Sequence, residues 1–345
     1  MREIFQIESL LNEEKIKEAY ALLRKKRKKI YPISLFYEGE ILRMSGFFQK
    51  ASSLYEKYLP FSSSSQEKKK IYVKIASCKR ALGLKEEALI WCSKALKIDK
   101  KDEDIMLETA MVYRLCGYYL KAEKLFFKLI KSYSLKKDFS ALSYAYWALG
   151  GLKRNYGALQ DSKSYFLKSL KFSSRAKDNS LKVYSLFGLA GVCRIKGEIE
   201  SSLKYYLKAG SIAEKNDIFA LAYSFCGTAN ALRQLGRLDE AEKLYLKSKI
   251  LYSRLGDKPD LGFVYWGLGE IYRKRGNLRT SLFYLKKSSF LFKQGFEKRG
   301  EILSLISSAK VLYALGQTDK ARKNYFSALK KARSENINTY LEDYT

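Results

Sequence analysis

The stretch Tyr265–Lys287, YWGLGEIYRKRGNLRTSLFYLKK, decides the fold. Before Gly276 an aromatic is followed by Leu268-Gly269 and then Tyr272, and after it Leu278, Leu282 and Leu285 recur, all at helical spacing. A glycine between two such stretches tolerates a positive φ and lets two helices approach closely, so the segment reads as helix, tight turn, helix. Working outward, seven more glycines sit in the same setting: Gly46, Gly83, Gly117, Gly157, Gly197, Gly236 and Gly316. The intervals along the series are 37, 34, 40, 40, 39, 40 and 40 residues. Five residues after each glycine stands a small residue (Ala51, Ala88, Ala122, Ser162, Ser202, Ala241, Ser281, Ala321), and four later a larger, usually aromatic one. Small against large is how paired helices interlock. A near-fixed period over most of 345 residues means one elongated array, not two or three globular domains.

Composition agrees with a helical, well-packed chain: three prolines, 21 glycines and 47% apolar residues. No apolar run approaches the ~18 residues of a membrane span. The start, MREIFQIESLLNEEKIKEA, places acids and lysines where a secretory signal needs an unbroken apolar core, so the expected location is cytoplasmic. Five cysteines (Cys78, Cys92, Cys116, Cys193, Cys226) contain no C-x-x-C pair, and there is no histidine. That argues against a disulfide framework, the commonest zinc sites and any His-dependent triad, and reads the cysteines as buried apolar residues. No catalytic residue, metal or cofactor is expected. The 66 basic and 36 acidic residues give a formal net charge of +30, a field that attracts polyanions without specifying one. Runs such as Lys25-Lys26-Arg27-Lys28-Lys29 and Lys68-Lys69-Lys70 read as inter-repeat positions on a solvated face.

The pattern resembles the tetratricopeptide repeat, most plainly in Tyr265–Lys287 and in Tyr72–Asp99, YVKIASCKRALGLKEEALIWCSKALKID. The resemblance implies an all-α, right-handed superhelical solenoid of helix-turn-helix repeats, about eighteen antiparallel helices over residues 1–334. Residues 1–31 read as a degenerate N-terminal repeat or cap, with Glu14 in place of the turn glycine and Ala19 in the small-residue slot. Residues 32–334 hold eight repeats, and 335–345 form a short acidic tail whose final segment starts another first helix and stops. The last five units run longer than the family's 34 residues, as in variants from bacterial regulators. Their extra residues lie in SSRAKDNS and SRLGDKPD, which predicts second helices longer by about a turn. Ser62–Ser65 reads as a loop.

Seven of the 18 arginines fall three residues before a turn glycine: Arg43, Arg80, Arg114, Arg154, Arg194, Arg233 and Arg273. In the last repeat Tyr313 takes the place. In the family, first helices line the concave surface, and residues 13, 10, 6 and 3 before the glycine lie on one helical stripe. Here that stripe reads Tyr144, Trp147, Gly151, Arg154, then Tyr184, Phe187, Gly191, Arg194, then Tyr223, Cys226, Asn230, Arg233, then Phe263, Trp266, Glu270, Arg273. Gly150 and Gly269 occupy the family's packing position, whereas Gly188, Gly227 and Gly267 are expected to hold space open on the groove side. A structural account competes: cations in a helix's last turn favour its dipole, and aromatics at helical spacing are commonly core. Lysine serves a dipole as well, yet the slot holds arginine, as bidentate recognition of carboxylate or phosphate requires.

Helices about 10 Å apart would offer an extended peptide, rising ~3.3 Å per residue, one arginine about every third residue. The expected function is therefore a non-enzymatic scaffold whose groove holds an acidic or extended segment of a partner protein. Single-stranded nucleic acid, with aromatics stacking on bases, is the alternative, as is a small anionic or peptide ligand sensed between Gly157 and Arg273. Trp147/Gly151, Phe187/Gly191 and Trp266/Glu270 replace the lysine and asparagine by which chaperone-tail relatives bind, so that ligand is not expected. The acidic, aromatic end Tyr340–Thr345 suits the groove, which makes self-association through the tail a further expectation.

Overall fold

The computed structural model describes residues 2–13, 15–213 and 217–335. Glu14, expected at the first turn, and the acidic tail from residue 336 onward lie outside the described residues. The chain divides into two compact units, Met1–Lys137 and Asp138–Thr345. The first holds α1 (Arg2–Asn12), α2 (Ile16–Lys26), α3 (Ser34–Met44), α4 (Phe48–Tyr58), α5 (Ser65–Ala81), α6 (Lys85–Ile98), α7 (Glu103–Leu115) and α8 (Tyr119–Lys136). The second holds α9 (Phe139–Asn155), α10 (Leu159–Ala176), α11 (Asn179–Ile195), α12 (Ile199–Ile212), α13 (Ile218–Gln234), α14 (Leu238–Leu255), α15 (Lys258–Lys274), α16 (Leu278–Gln294), α17 (Lys298–Ala314) and α18 (Thr318–Ser334). No strand occurs among the described residues. The fold is an all-α solenoid of helix-turn-helix repeats.

Every turn glycine takes a positive φ, between 74° and 85°. At Gly276 the N–H donates to the Arg273 carbonyl (3.0 Å) and the next N–H, of Asn277, to Tyr272 (2.9 Å), closing the last turn in a Schellman motif. Nothing lies within 4 Å of where a Cβ on this glycine would sit. Backbone conformation is thus what requires glycine here, and the close helix approach expected at this position is absent.

Close approach occurs elsewhere. The small residues after the turns are buried, and Ser162 Oγ donates to the Gly150 carbonyl at 2.7 Å. Gly188, Gly227 and Gly267, expected to keep the groove open, instead make room for rings: a Cβ on them would fall 2.3 Å from Phe166, 2.2 Å from Tyr206 and 2.3 Å from Tyr245. These rings belong to the second helices of the preceding repeats, so the glycines are core contacts.

First helices from α9 to α17 have 17 residues against 13 in α7, though α5 already has 17. Second helices α8, α10 and α14 have 18 against 14 in α6, though α12 has 14. The segments SSRAKDNS and SRLGDKPD each end one helix on a positive-φ residue, Lys177 (56°) or Gly256 (69°), and cap the next. Asp178 Oδ1 accepts from the Leu181 N–H at 2.9 Å and Asp257 Oδ1 from Asp260 at 3.0 Å. Of the Ser62–Ser65 run, Ser64 caps α5, which begins at Ser65. Lys68–Lys70, read as inter-repeat, lie inside α5, where Lys69 reaches Asp102 at 2.5 Å.

Candidate binding groove

First helices of successive repeats pack directly on one another: α5 on α7 in the first unit, and α9 on α11, α11 on α13, α13 on α15 and α15 on α17 in the second. Second helices pack chiefly on the first helices of their own and the following repeat. The first helices therefore lie on the side where repeats come closest, and the predicted stripe runs along them.

In the second unit the stripe's aromatics meet in a continuous run of ring contacts. Tyr144 and Trp147 are 5.5 Å apart between centroids, Trp147 and Tyr184 6.4 Å, Tyr184 and Phe187 6.0 Å, and Phe187 and Tyr223 4.7 Å. Tyr144, Trp147, Tyr184 and Tyr223 keep partial solvent access, whereas Phe187 is buried. Phe263 packs edge-on against Phe292 (4.7 Å) beneath the Arg299 guanidinium (5.2 Å). Trp266 is 6% exposed and donates its Nε1 hydrogen to Ser307 Oγ at 2.9 Å, so it belongs to the core under the stripe. Burial pushes the Tyr184 hydroxyl up to about 12.

The arginines divide by what faces them. Arg43 donates to Glu40 (3.0 Å from Nη2), Arg80 to Glu108 (2.6 Å from Nε), and Arg273 to Glu270 (2.8 Å from Nη2). These guanidiniums are neutralised inside the chain. Burial pushes the Glu270 carboxyl up, but Arg273 and the charge of Arg233 outweigh it and hold it below the usual range. Arg154, Arg194 and Arg233 have Gly151, Gly191 and Asn230 where Arg43 and Arg273 have Glu40 and Glu270. Among the described residues Arg154 and Arg233 form no ion pair. One Arg154 Nη lies 3.0 Å from the point a Cβ on Gly191 would occupy, so that glycine in the next repeat receives the guanidinium. Burial raises the Tyr206 hydroxyl, and the neighbouring Arg194 and Arg154 pull it the other way. Arg233 is 2% exposed, stacks on Trp266 at 4.9 Å, and leaves Nε and Nη2 without hydrogen-bond partners. Asn230 accepts from the Tyr245 hydroxyl at 2.7 Å through Oδ1, and its amide hydrogens meet only the Cys226 sulfur, at 3.8 Å. Arg114 keeps partial solvent access at the end of α7.

Sequence reading missed the partner carboxylate Glu108 and the part-buried Asp260 at the start of α15. Asp260 lies one helical turn before Phe263 on the same stripe, and burial, then the charges of Asp257 and Glu297, push its carboxyl up to about 7 against the pull of Arg299. A signal was present: Asp257 and Asp260 three apart at a helix start place two carboxylates on adjoining turns. Among the described residues no group of three or more His, Cys, Asp or Glu is placed to hold a metal. All five cysteines are free, and burial pushes the Cys226 thiol up to about 12. No helix among the described residues is long and apolar enough to cross a membrane.

Residues 69–102 and 220–294 match family models described as tetratricopeptide repeat. No curated protein sequence matches the chain. Among similar solved structures is a Rap protein complexed with Competence and Sporulation Factor: 12% identical, aligned over 97% of each chain, TM-score 0.72. The quorum sensor NprR from B. thuringiensis, in apo form, is 13% identical over 95% of this chain and 97% of its own, with a TM-score of 0.68. Aspartyl phosphate phosphatase F from Bacillus subtilis is 13% identical over 96% and 93%, with a TM-score of 0.60. At these identities the likeness is one of fold.

Proposed function

We propose that this tetratricopeptide-repeat protein is a non-enzymatic scaffold that holds an acidic or extended segment of a partner along the first helices α9–α15. The observation that carries the reading is the pairing pattern of the arginines. Where Glu40, Glu108 and Glu270 stand nearby, the guanidiniums are already satisfied. Arg154 carries no such partner, keeps partial solvent access and ends the helix whose Tyr144 and Trp147 start the run of aromatic contacts to Tyr223, whereas Arg233 is buried on Trp266 with its charge near Glu270. A ligand carboxylate supplied there takes the place that a side-chain carboxylate fills in the other repeats, and Trp147 and Tyr184 offer apolar area beside it. The amide of Asn230 donates to a peptide carbonyl. One structural neighbour was crystallised with Competence and Sporulation Factor and another is a quorum sensor, which supports a ligand-responsive role for an array of this kind.

The test is fluorescence anisotropy with a labelled decapeptide carrying Glu at every third position, beside a labelled oligouridylate of ten nucleotides. The peptide is expected to bind, and Arg154→Lys with Arg194→Lys to weaken it about tenfold, because lysine keeps the charge but loses the planar fork. Trp147→Ala is expected to weaken it similarly. Unchanged peptide affinity in both variants overturns the reading. So does tighter binding of the oligouridylate with a log–log salt slope of about −0.7 per phosphate, which assigns the face to single-stranded nucleic acid.

A further inference from the structure

The groove leaves the second helices of the repeats without a role; their first turns carry exposed acids (Asp161, Glu200, Asp239, Glu240, Asp319), but past the first turn their composition is one-sided. Beyond the fifth residue of each, α10, α12, α14, α16 and α18 contain no aspartate or glutamate at all. They carry instead Lys168 and Lys171, Lys204 and Lys208, Lys243 and Lys247, and Lys286 and Lys287. Beside these cations an apolar residue stands ten positions after the turn glycine in four of the five second helices, Leu167, Leu207, Leu246 and Phe326 at 45%, 55%, 41% and 61% exposure, with Lys286 in that place in α16. Phe283 (52%), Ile250 (54%) and Phe290 (60%) extend the row. A repeated register puts the same position of successive second helices in line, and single exposed leucines are ordinary where a recurring row is not.

We propose that this second-helix face of residues 159–334 docks peripherally on an anionic lipid surface. Three features favour a bilayer over other polyanions. The exposed apolar residues include the aliphatic Leu167, Leu207, Leu246 and Ile250, which can enter the headgroup boundary but offer no ring for a base. The tyrosines nearby are stacked, Tyr146 on Phe172 at 5.6 Å and Tyr265 on Tyr284 at 6.0 Å. Lysines stand over rings of the face, Lys168 5.2 Å from Tyr165 and Lys287 4.4 Å from Phe283, while Phe290 and Phe326 stay exposed as apolar area that can enter the headgroup boundary. Lysine, a flexible point charge that lays its stem along apolar surface, matches a fluid sheet of headgroups better than the fixed geometry of a protein carboxylate. The assignment is independent of the groove, which lies on the first helices.

Flotation of the full chain with vesicles tests it. Phosphatidylcholine vesicles containing ~30% phosphatidylserine are expected to carry the protein up at ~100 mM salt, and pure phosphatidylcholine vesicles to leave it behind. Lys168→Glu with Lys208→Glu and Lys247→Glu should abolish flotation. Leu167→Ser with Leu207→Ser and Leu246→Ser, all exposed and so compatible with an intact helical circular dichroism spectrum, should cut vesicle affinity at least tenfold while peptide binding in the groove is unchanged. No flotation of the wild type with phosphatidylserine overturns the proposal. So does flotation indifferent to the three serines, which marks a diffuse electrostatic surface.

Discussion

Replacing Asp260 by asparagine should make the protein more stable at pH 8 and leave it nearly unchanged at pH 4. The native carboxyl holds its proton up to about 7, because burial and the charges of Asp257 and Glu297 disfavour its ionised form. In the unfolded chain an aspartate gives up its proton near 3.9. Between those values the native state binds more protons than the unfolded one, so the unfolding free energy falls as pH rises. Stability is complete below the unfolded value, and the penalty is fully present above the native one. A shift of about 3 units at 1.36 kcal/mol each sets a ceiling of ~4 kcal/mol at pH 8. Asp260 keeps some solvent access, which screens the charge and halves the expected figure to ~2 kcal/mol. Asparagine is always neutral and keeps an acceptor beside Tyr252, so it escapes the penalty. Urea unfolding at the two pH values, followed by the fluorescence of the three tryptophans, of which Trp266 lies in the same helix, measures it. A stabilisation of equal size at pH 4 and pH 8 would refute the argument, since it would then come from shape and not from the charge.

Two comparisons probe how the array is built. Gly227→Ala should cost ~2–3 kcal/mol because its new methyl meets the Tyr206 ring at 2.2 Å; Gly276→Ala, with open space but a φ of 76°, should cost only the ~1–2 kcal/mol of left-handed strain. Thermal denaturation that ranks them in the reverse order contradicts this assignment of roles. Arg80→Ala strands the buried Glu108 carboxylate and should cost ~2 kcal/mol, whereas Arg154→Ala strands nothing and should cost under ~1 kcal/mol, as read by urea midpoints.

The period was legible because each repeat must make the same turn, and only glycine takes a φ near 80° without cost. Helix pairing and the buried small residues after each turn followed from that one constraint, whereas the stripe along the first helices rested on the resemblance. What the letters do not carry is depth. Trp147 and Trp266 occupy equivalent stripe positions, yet Trp147 keeps solvent access and Trp266 is buried beneath Arg233, because Ser307 in α17 holds its indole nitrogen inward. Gly188 and Gly227 look like gaps in a one-dimensional stripe, and only the rings arriving from other helices show that the gaps are filled. Glu108 likewise stands 28 residues from the arginine it neutralises.

The choice of arginine over lysine in the ladder has a physical cause that bears on function. All seven arginines take the second-last residue of a first helix; Arg43 and Arg273 bond a carboxylate on their own helix, Glu40 and Glu270, whereas three others reach the next repeat. There Arg80 reaches Glu108, Arg154 reaches Gly191 and Arg233 reaches Trp266, each on the following first helix. A planar fork on a long stem can bond a carboxylate, lie against a glycine or stack on an indole, and an ammonium does only the first well. Tyr313 takes the ladder position in α17, and its ring is 71% exposed. Part of the ladder, Arg80, Arg154 and Arg233, thus staples one repeat to the next as well as adding to the row of cations, and the two roles are separated by the residue opposite. A carboxylate opposite closes the staple, as Glu108 does. A glycine opposite leaves Arg154 packed but electrostatically unsatisfied, and that repeat, not the ladder as a whole, is where a ligand carboxylate gains most.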